Sequence, residues 1–267
     1  MAAVLREVQE KEIDALLAQI KEHVEECIYI YTDIYTYRTD NPSMCVWVEK
    51  REQEYSLILM KYHDSAQIYA PEGFRSWDDL VDLLRQLDVT VINGQKWVIQ
   101  KLEEILSDKY YSDYGYILRL LNHIPTGLED QCYIAGLNEV PEIAALLAHD
   151  DYYSSYCDEE ELTRQLSERI RTNMGRSAVL RKDGKIVAHC ASFTEAAGIA
   201  VDAATICHKD YRGRKFGITV ENYMNIKMNQ LGYKCFTFLT DINRVKAFEK
   251  AGNKVVAEYG KLIKRQS

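Results

Sequence analysis

At 267 residues the chain is long enough for one large domain or two of common size, each with its own core. A hydrophobic content of 47% and a charged content of 28% exclude a disordered or low-complexity protein. The net charge of −8 argues against a general nucleic-acid binder, and no apolar run approaches the roughly 20 residues of a membrane span.

Residues 5–26 read as a helix, with Ile13, Leu16, Leu17 and Ile20 at helical spacing and no signal-peptide core. Residues 44–50, 54–63 and 65–70 read as strands, the last ended by Pro71. Residues 76–87 form a helix with Ser76 as its N-cap and Asp78 and Asp79 in its first turn. A short strand at 89–92, a helix at 93–106 and a strand at 113–121 complete an α+β first half. Residues 122–131, which hold Pro125, Gly127 and polar neighbours, are the linker candidate.

The second half opens with a strand at 132–137 and helices at 139–150 and 158–173. Pro141 is tolerable only in a first turn, and Asp158 is an N-cap. A hairpin over 177–193 turns at Asp183-Gly184. An apolar strand at 197–208 leads into a basic, glycine-containing turn, then a helix at 217–232. A strand at 234–240, a helix at 242–252 and a strand at 254–263 close the chain. The seven cysteines are odd in number and contain no C-x-x-C pair, which suits a reduced cytoplasmic protein without a zinc site. Cys190, Cys207 and Cys235 lie in apolar runs and read as small buried hydrophobes.

The turn "HKDYRGRKFG" (208–217) draws attention because it is basic in an acidic chain. The first amides of a helix lack intrahelical partners and carry the positive end of its dipole. Glycine lets the backbone approach a phosphate closely. Residues Arg212, Gly213, Arg214, Lys215, Phe216 and Gly217 therefore suit a pyrophosphate, and a solvated basic loop is the plain alternative.

The element order of the second half resembles the GNAT acetyltransferase superfamily. Arg212-x-x-Lys215-x-Gly217 resembles that family's phosphate motif Q/R-x-x-G-x-G/A, and "AFEKAG" (247–252) resembles its "LYEKLGF" segment. The resemblance covers roughly residues 131–267. It implies an α/β fold, a central, mostly antiparallel mixed sheet flanked by helices. It also implies acetyl-CoA as co-substrate and direct attack by a small-molecule amine in a monomer or homodimer. The pyrophosphate would sit on the amides of 212–217, the pantetheine arm would pair like a strand with Thr205, Ile206 and Cys207, and Asn243 and Phe248 would lie beside the coenzyme. Asp202 is the first candidate general base, with Glu195 and His189 behind it; Tyr259 and Asn243 are candidates for proton return. The plain readings are a solvent-facing strand residue for Asp202, a loop residue for Glu195 and a satisfied core residue for His189. The polar run 150–156 would shape the acceptor pocket.

Two positions depart from the pattern. Lys215 stands in place of the middle glycine, so it either takes glycine's backbone shape or shifts the turn. Phe248 stands where many members carry a proton-donating tyrosine. A sensor module that binds coenzyme A or a metabolite is therefore the alternative to an enzyme, and a longer acyl donor the alternative to acetyl. The first half (1–123) reads as a degenerate GNAT-like unit, on the resemblance of "VINGQKWVIQKLEEIL" (91–106), or as an unrelated α+β domain; its "APEGFRSWDDL" stretch starts a helix with acids that repel a pyrophosphate, so it is expected to bind no coenzyme A.

Overall fold

The computed structural model describes residues 5–52, 54–150 and 158–265. These fall into two compact units that are not consecutive in sequence. The first comprises the described parts of Met1–Ile117, Leu239–Val245 and Val255–Ser267; the second comprises those of Leu118–Phe238 and Lys246–Lys254. The sequence-based division at 123/131 is sequential, and the difference has a physical cause. The last strand pairs antiparallel with a strand of the first unit, from Tyr259↔Gln95 to Ile263↔Val91.

The first unit contains strand β1 (Arg6–Glu7), helices α1 (Ile13–Ile20) and α2 (Ile28–Tyr37), and strands β2 (Met44–Arg51), β3 (Glu54–Tyr62) and β4 (Ser65–Tyr69). Helix α3 (Trp77–Leu87), strand β5 (Val91–Gln95), helix α4 (Lys96–Leu106) and strand β6 (Tyr110–Leu120) follow. With β12 (Lys254–Lys264) the strand order is β1-β2-β3-β4-β5-β12-β6. β1 with β2, β2 with β3, β3 with β4, and β5 with β12 pair antiparallel, whereas β4 and β5, joined through α3, pair parallel. Leu80, Leu84, Val98 and Leu102 on the inner faces of α3 and α4 are buried against Leu59, Ile68 and Ile92 of the sheet. Each such side chain contributes roughly 1.5–3 kcal/mol by leaving water. Gly115 is required by close approach: a Cβ there would lie 2.5 Å from the Leu239 carbonyl and against the Tyr259 ring.

The second unit contains strand β7 (Cys132–Ile134), helices α5 (Val140–Ala148) and α6 (Glu159–Thr172), and strands β8 (Ser177–Lys182), β9 (Lys185–Ala196) and β10 (Ile199–Cys207). Helix α7 (Phe216–Gln230) and strand β11 (Lys234–Leu239) follow; helix α8 (Ile242–Lys250) belongs to the first unit up to Val245 and to the second from Lys246. The order is β7-β8-β9-β10-β11. Asp158 caps α6 through the Glu161 amide at 2.8 Å. Asp183 and Gly184 have φ of 50° and 77°, and Ala197 and Gly198 have 52° and 75°, the positive pairs that tight hairpin turns need. Helices α5 and α6 bury Ile143, Leu147, Leu162 and Leu166 against Val179, Ala191 and Ile206.

The two halves of the sequence thus share one order of elements: three antiparallel strands, a helix leading to a parallel strand, a second helix and a last strand. The run is β2-β3-β4-α3-β5-α4-β6 in the first half and β8-β9-β10-α7-β11-α8-β12 in the second.

Several elements differ from the sequence reading. Residues 5–26 are not one helix: β1 pairs with β2, and α1 gives way after Ile20 to a tighter 3-10 segment with a kink at His23. Ser76 makes no cap bond; its hydroxyl accepts from Arg51 Nη2 at 3.3 Å. Residues 93–95 extend β5 before α4 begins. Residues 122–131 are a strap rather than a free linker. The Leu121 and Asn122 amides both donate to Asn253 Oδ1, and Asn222 on α7 holds Ile124 from both sides.

Candidate functional site

Strand β10 pairs parallel with β11 from Ile199↔Lys234 to Asp202↔Thr237, and the register ends there. On its other side β10 continues to pair with β9 as far as Cys207↔Ala188. Between Ala203 and Ile206 the β9 register slips by one residue, and Ala204 has a φ of 50°. This is a β-bulge, which bends a strand and re-aims its edge. Residues 203–207 consequently turn an edge toward β11 that β11 does not pair. An unpaired strand edge is a template for an extended ligand.

The chain runs straight from this edge into the basic turn. The His208 amide donates to the Val187 carbonyl at 2.8 Å and so ties the turn to the sheet. A 3-10 turn over Lys209–Tyr211 follows, then Gly213 with φ of 79° and Lys215 with φ of 66°. The Thr219 amide bonds the Lys215 carbonyl at 3.0 Å as α7 starts. The amides of Phe216, Gly217 and Ile218 precede that first turn and have no intrahelical acceptor. Phe216 is buried and anchors the helix start, with the Tyr211 ring 6.2 Å from it. Gly217 lies close to Cys207, so the free edge and the helix N-terminus meet at these two residues. Burial pushes the Cys207 thiol up, against the pull of Arg212, the Gly217 amide and Arg214.

Lys215 has taken glycine's backbone shape. A left-handed conformation costs a side-chain-bearing residue about 1–2 kcal/mol. Its persistence keeps the turn in place while adding a positive charge beside the amides at the start of α7. Lys215→Gly is expected to raise stability in urea unfolding by about 0.5–1 kcal/mol. It should also weaken coenzyme A binding about three- to tenfold through the lost charge. Arg212 is differently occupied: it bonds Asp150 at 3.2 Å and the Cys207 carbonyl at 3.3 Å, which braces the turn. Arg214 stacks its guanidinium 5.2 Å from the Tyr211 ring.

The candidate proton-transfer residues of the second unit are each buried in separate surroundings. Asp202 is 2% exposed on β10, neither carboxylate oxygen has a hydrogen-bond partner among the described residues, and burial and then Glu221 of α7 push its carboxyl well above the usual range. Glu195 is buried and forms an ion pair with Arg176 and a hydrogen bond with Ser192. It faces Ala200, at the opposite end of β10 from the basic turn. His189 is fully buried between the Ala204 carbonyl at 3.0 Å and the Ser177 hydroxyl at 3.1 Å, and burial lowers it to about 4. Tyr259 lies on β12 and Asn243 at the start of α8, both in the first unit. Phe248, in the second unit, is 5% exposed. Residues 151–156 lie outside the described residues, and only Asp150 of that run is placed.

Sequence reading missed four residues. Arg176, the partner of Glu195, precedes β8 and carries no motif. Glu221, Asn222 and Asn225 are buried polar residues of α7; their signal was three polar side chains interrupting the apolar series Val220, Met224 and Met228.

The corresponding place in the first unit is filled by the chain itself. Where the β4–β5 pairing ends at Ile68↔Gly94, the Gln95 side chain accepts from the Ala70 amide at 2.9 Å. At the start of α3, Asp78 and Asp79 occupy the first turn and buried Glu49 lies beside Ser76. Burial raises Glu49, but hydrogen bonds from Ser76, Ser56 and Arg51 overcome it and hold the carboxyl below its ordinary range. A negative charge already stands where an anion would bind.

No protein-family profile matches the sequence, and no curated protein does. Solved structures do match over nearly the whole chain. A Drosophila protein aligns with a TM-score of 0.69 at 12% identity, covering 99% of each chain. A GCN5-related N-acetyltransferase-like protein from Streptococcus suis aligns at 0.61 and 14% identity, covering 96% of this chain and 100% of the other. A tandem GNAT protein from the clavulanic acid biosynthesis pathway aligns at 0.55 and 12% identity, covering 99% of each. The fold is therefore that of the GCN5-related N-acetyltransferases, in its tandem form. Among the described residues no helix is long and apolar enough to cross a membrane.

Proposed function

We propose that the chain is a cytoplasmic N-acetyltransferase that moves an acetyl group from acetyl-CoA to a small-molecule amine, with the second unit as its working half. One observation carries this reading: the free edge of residues 203–207 runs directly into a glycine turn and an open helix N-terminus. The fit to the coenzyme follows from the chain's own groups. Gly213 has open space around it, and a Cβ on Gly217 would reach nothing nearer than Cys207 at 3.8 Å, so phosphates can approach the backbone. Arg214 and Lys215 add charge, while the edge of Thr205, Ile206 and Cys207 offers backbone groups to an extended amide-rich arm. A backbone amide on that edge polarises the thioester carbonyl as negative charge develops on its oxygen. Acetyl-CoA supplies the activated acyl group; the amine nitrogen bonds the carbonyl carbon, and the carbon–sulfur bond breaks.

Asp202 is buried and holds its proton, and Glu195 is paired with Arg176, so the amine proton leaves to water rather than to either carboxylate. Phe248 gives the departing sulfur no proton. A free thiol ionises near pH 8.5, so the sulfur can leave as the thiolate without an acid. The rate should accordingly climb with pH and show no acidic group failing at high pH. Phe248→Tyr should raise kcat below about pH 8 by roughly ten- to a hundredfold and introduce a fall above about pH 10. A pH–rate profile unchanged by that substitution contradicts the assignment. The buried phenyl ring also favours the second reading, a coenzyme A sensor. Thiol release from acetyl-CoA across aminosugars, amino acids and polyamines separates the two: turnover on an amine supports the enzyme, and binding with no turnover on any amine supports the sensor.

A further inference from the structure

The first unit holds a cavity of about 420 Å³ lined by Glu26, Gln95, Lys96, Trp97, Glu258 and their neighbours. It opens beyond the carboxyl end of β5, next to the end of the parallel β4–β5 pairing. In sheets of this kind, ligand crevices lie outside the carboxyl ends of parallel strands. The wall is arranged in three parts. Glu26, at the end of the 3-10 segment after α1, accepts from Gln95 Nε2, and Gln95 is itself fixed by the Ala70 amide at 2.9 Å. Glu258 on β12 pairs with Lys96 at the start of α4, 2.8 Å away. Trp97 presents an indole whose orientation is set by the Trp77 ring at 5.9 Å and by the core beneath.

Two carboxylates face one ammonium, which leaves the lining with a net negative charge. An indole face and a carboxylate together attract an organic cation, through the ring quadrupole and through Coulomb attraction. A phosphate or carboxylate ligand would meet Glu26 and Glu258 unfavourably, and a purely apolar ligand would draw nothing from their charge. We propose that this pocket binds a small organic ammonium ion, held against Trp97 with its charge shared by Glu26 and Glu258. The site belongs to the first unit alone and does not rest on acyl transfer by the second.

Titration calorimetry on the full chain tests it, with choline as the probe and 3,3-dimethyl-1-butanol as its uncharged carbon analogue. Choline should bind with one site per chain and at least about tenfold more tightly than the analogue. Glu26→Gln should weaken choline about tenfold, with circular dichroism unchanged. Lys96→Gln should act in the opposite direction, strengthening choline severalfold, because it releases the Glu258 carboxylate from its partner. A merely structural role for the Lys96–Glu258 pair would not tighten binding of a cation. The proposal is overturned if choline shows no saturable binding, if choline and the alcohol bind alike, or if both substitutions leave the affinity where it was.

Discussion

Gly217→Asp should abolish the response to coenzyme A while leaving the protein at least as stable as before. The residue is the second of α7, where an added Cβ meets only Cys207 Cβ at 3.8 Å, an ordinary contact. Its φ is not in the left-handed region, so a side chain introduces no backbone strain. An aspartate in a first helical turn stabilises by about 0.3–1 kcal/mol through the helix dipole. The same carboxylate stands where the pyrophosphate would sit, and two like charges in one site exclude each other. For the wild-type chain, coenzyme A at a hundred times its Kd should add about 2.7 kcal/mol of stability. Thermal melts with and without coenzyme A should show that gain in the wild type and none in the variant, with affinity lower by at least about a hundredfold. Opposite signs on stability and binding distinguish a phosphate site from a turn that merely supports the fold. A variant that melts later with coenzyme A, as the wild type does, removes the turn from the account.

Asp202→Asn should stabilise the protein at neutral pH and leave acyl transfer nearly unchanged. The Asp202 carboxyl is buried with both oxygens unpartnered and Glu221 nearby, so the folded state holds its proton far above the ordinary value of 3.8. The unfolded chain releases that proton near pH 4, and release favours unfolding as pH rises. Asp202 therefore costs no stability below pH 3.8 and an increasing amount above it, up to its folded value. His189 works with the opposite slope. Its folded value of about 4 lies under the ordinary 6.5, so its contribution is full above 6.5 and is lost as pH falls toward 4. The two slopes oppose each other: as pH rises, Asp202 lowers stability while His189 raises it between about pH 4 and 6.5. Urea unfolding across pH 4 to 9 should show the variant equal to the wild type at the acid end and about 1–3 kcal/mol more stable at the alkaline end. Were Asp202 the general base, its loss would instead lower the rate by a hundredfold or more. A large rate loss without a stability gain would restore it to that role.

Much of this arrangement is legible in the sequence, for identifiable reasons. The hairpin at Asp183-Gly184, the cap at Asp158 and the glycine turn before α7 are local features, set by backbone conformations that few residue types adopt. Helix α2 was not legible, because "IYIYTDIYTY" is rich in β-branched and aromatic residues that favour strands. It is helical because Ile28, Ile30, Tyr31, Thr32 and Ile34 are buried, tertiary packing that overrides local preference. The strap at 122–131 looked like a linker because Pro and Gly mark loops, whereas the Asn222 and Asn253 side chains that fix it come from roughly a hundred residues away. The turn of the candidate site was visible in "RGRKFG", but the bulge at Ala204 that frees the adjacent strand edge has no local signature. Nor could spacing alone show which face of β10 Asp202 takes, because a bulge shifts the alternation of sides that such an argument relies on.

Acetyl-CoA should bind the second unit and not the first. Calorimetric titration of the full chain with acetyl-CoA should therefore show one site per chain, unaffected by Glu49→Gln in the first unit and lost in Gly217→Asp. Two sites per chain, or one site that survives Gly217→Asp, would contradict that assignment.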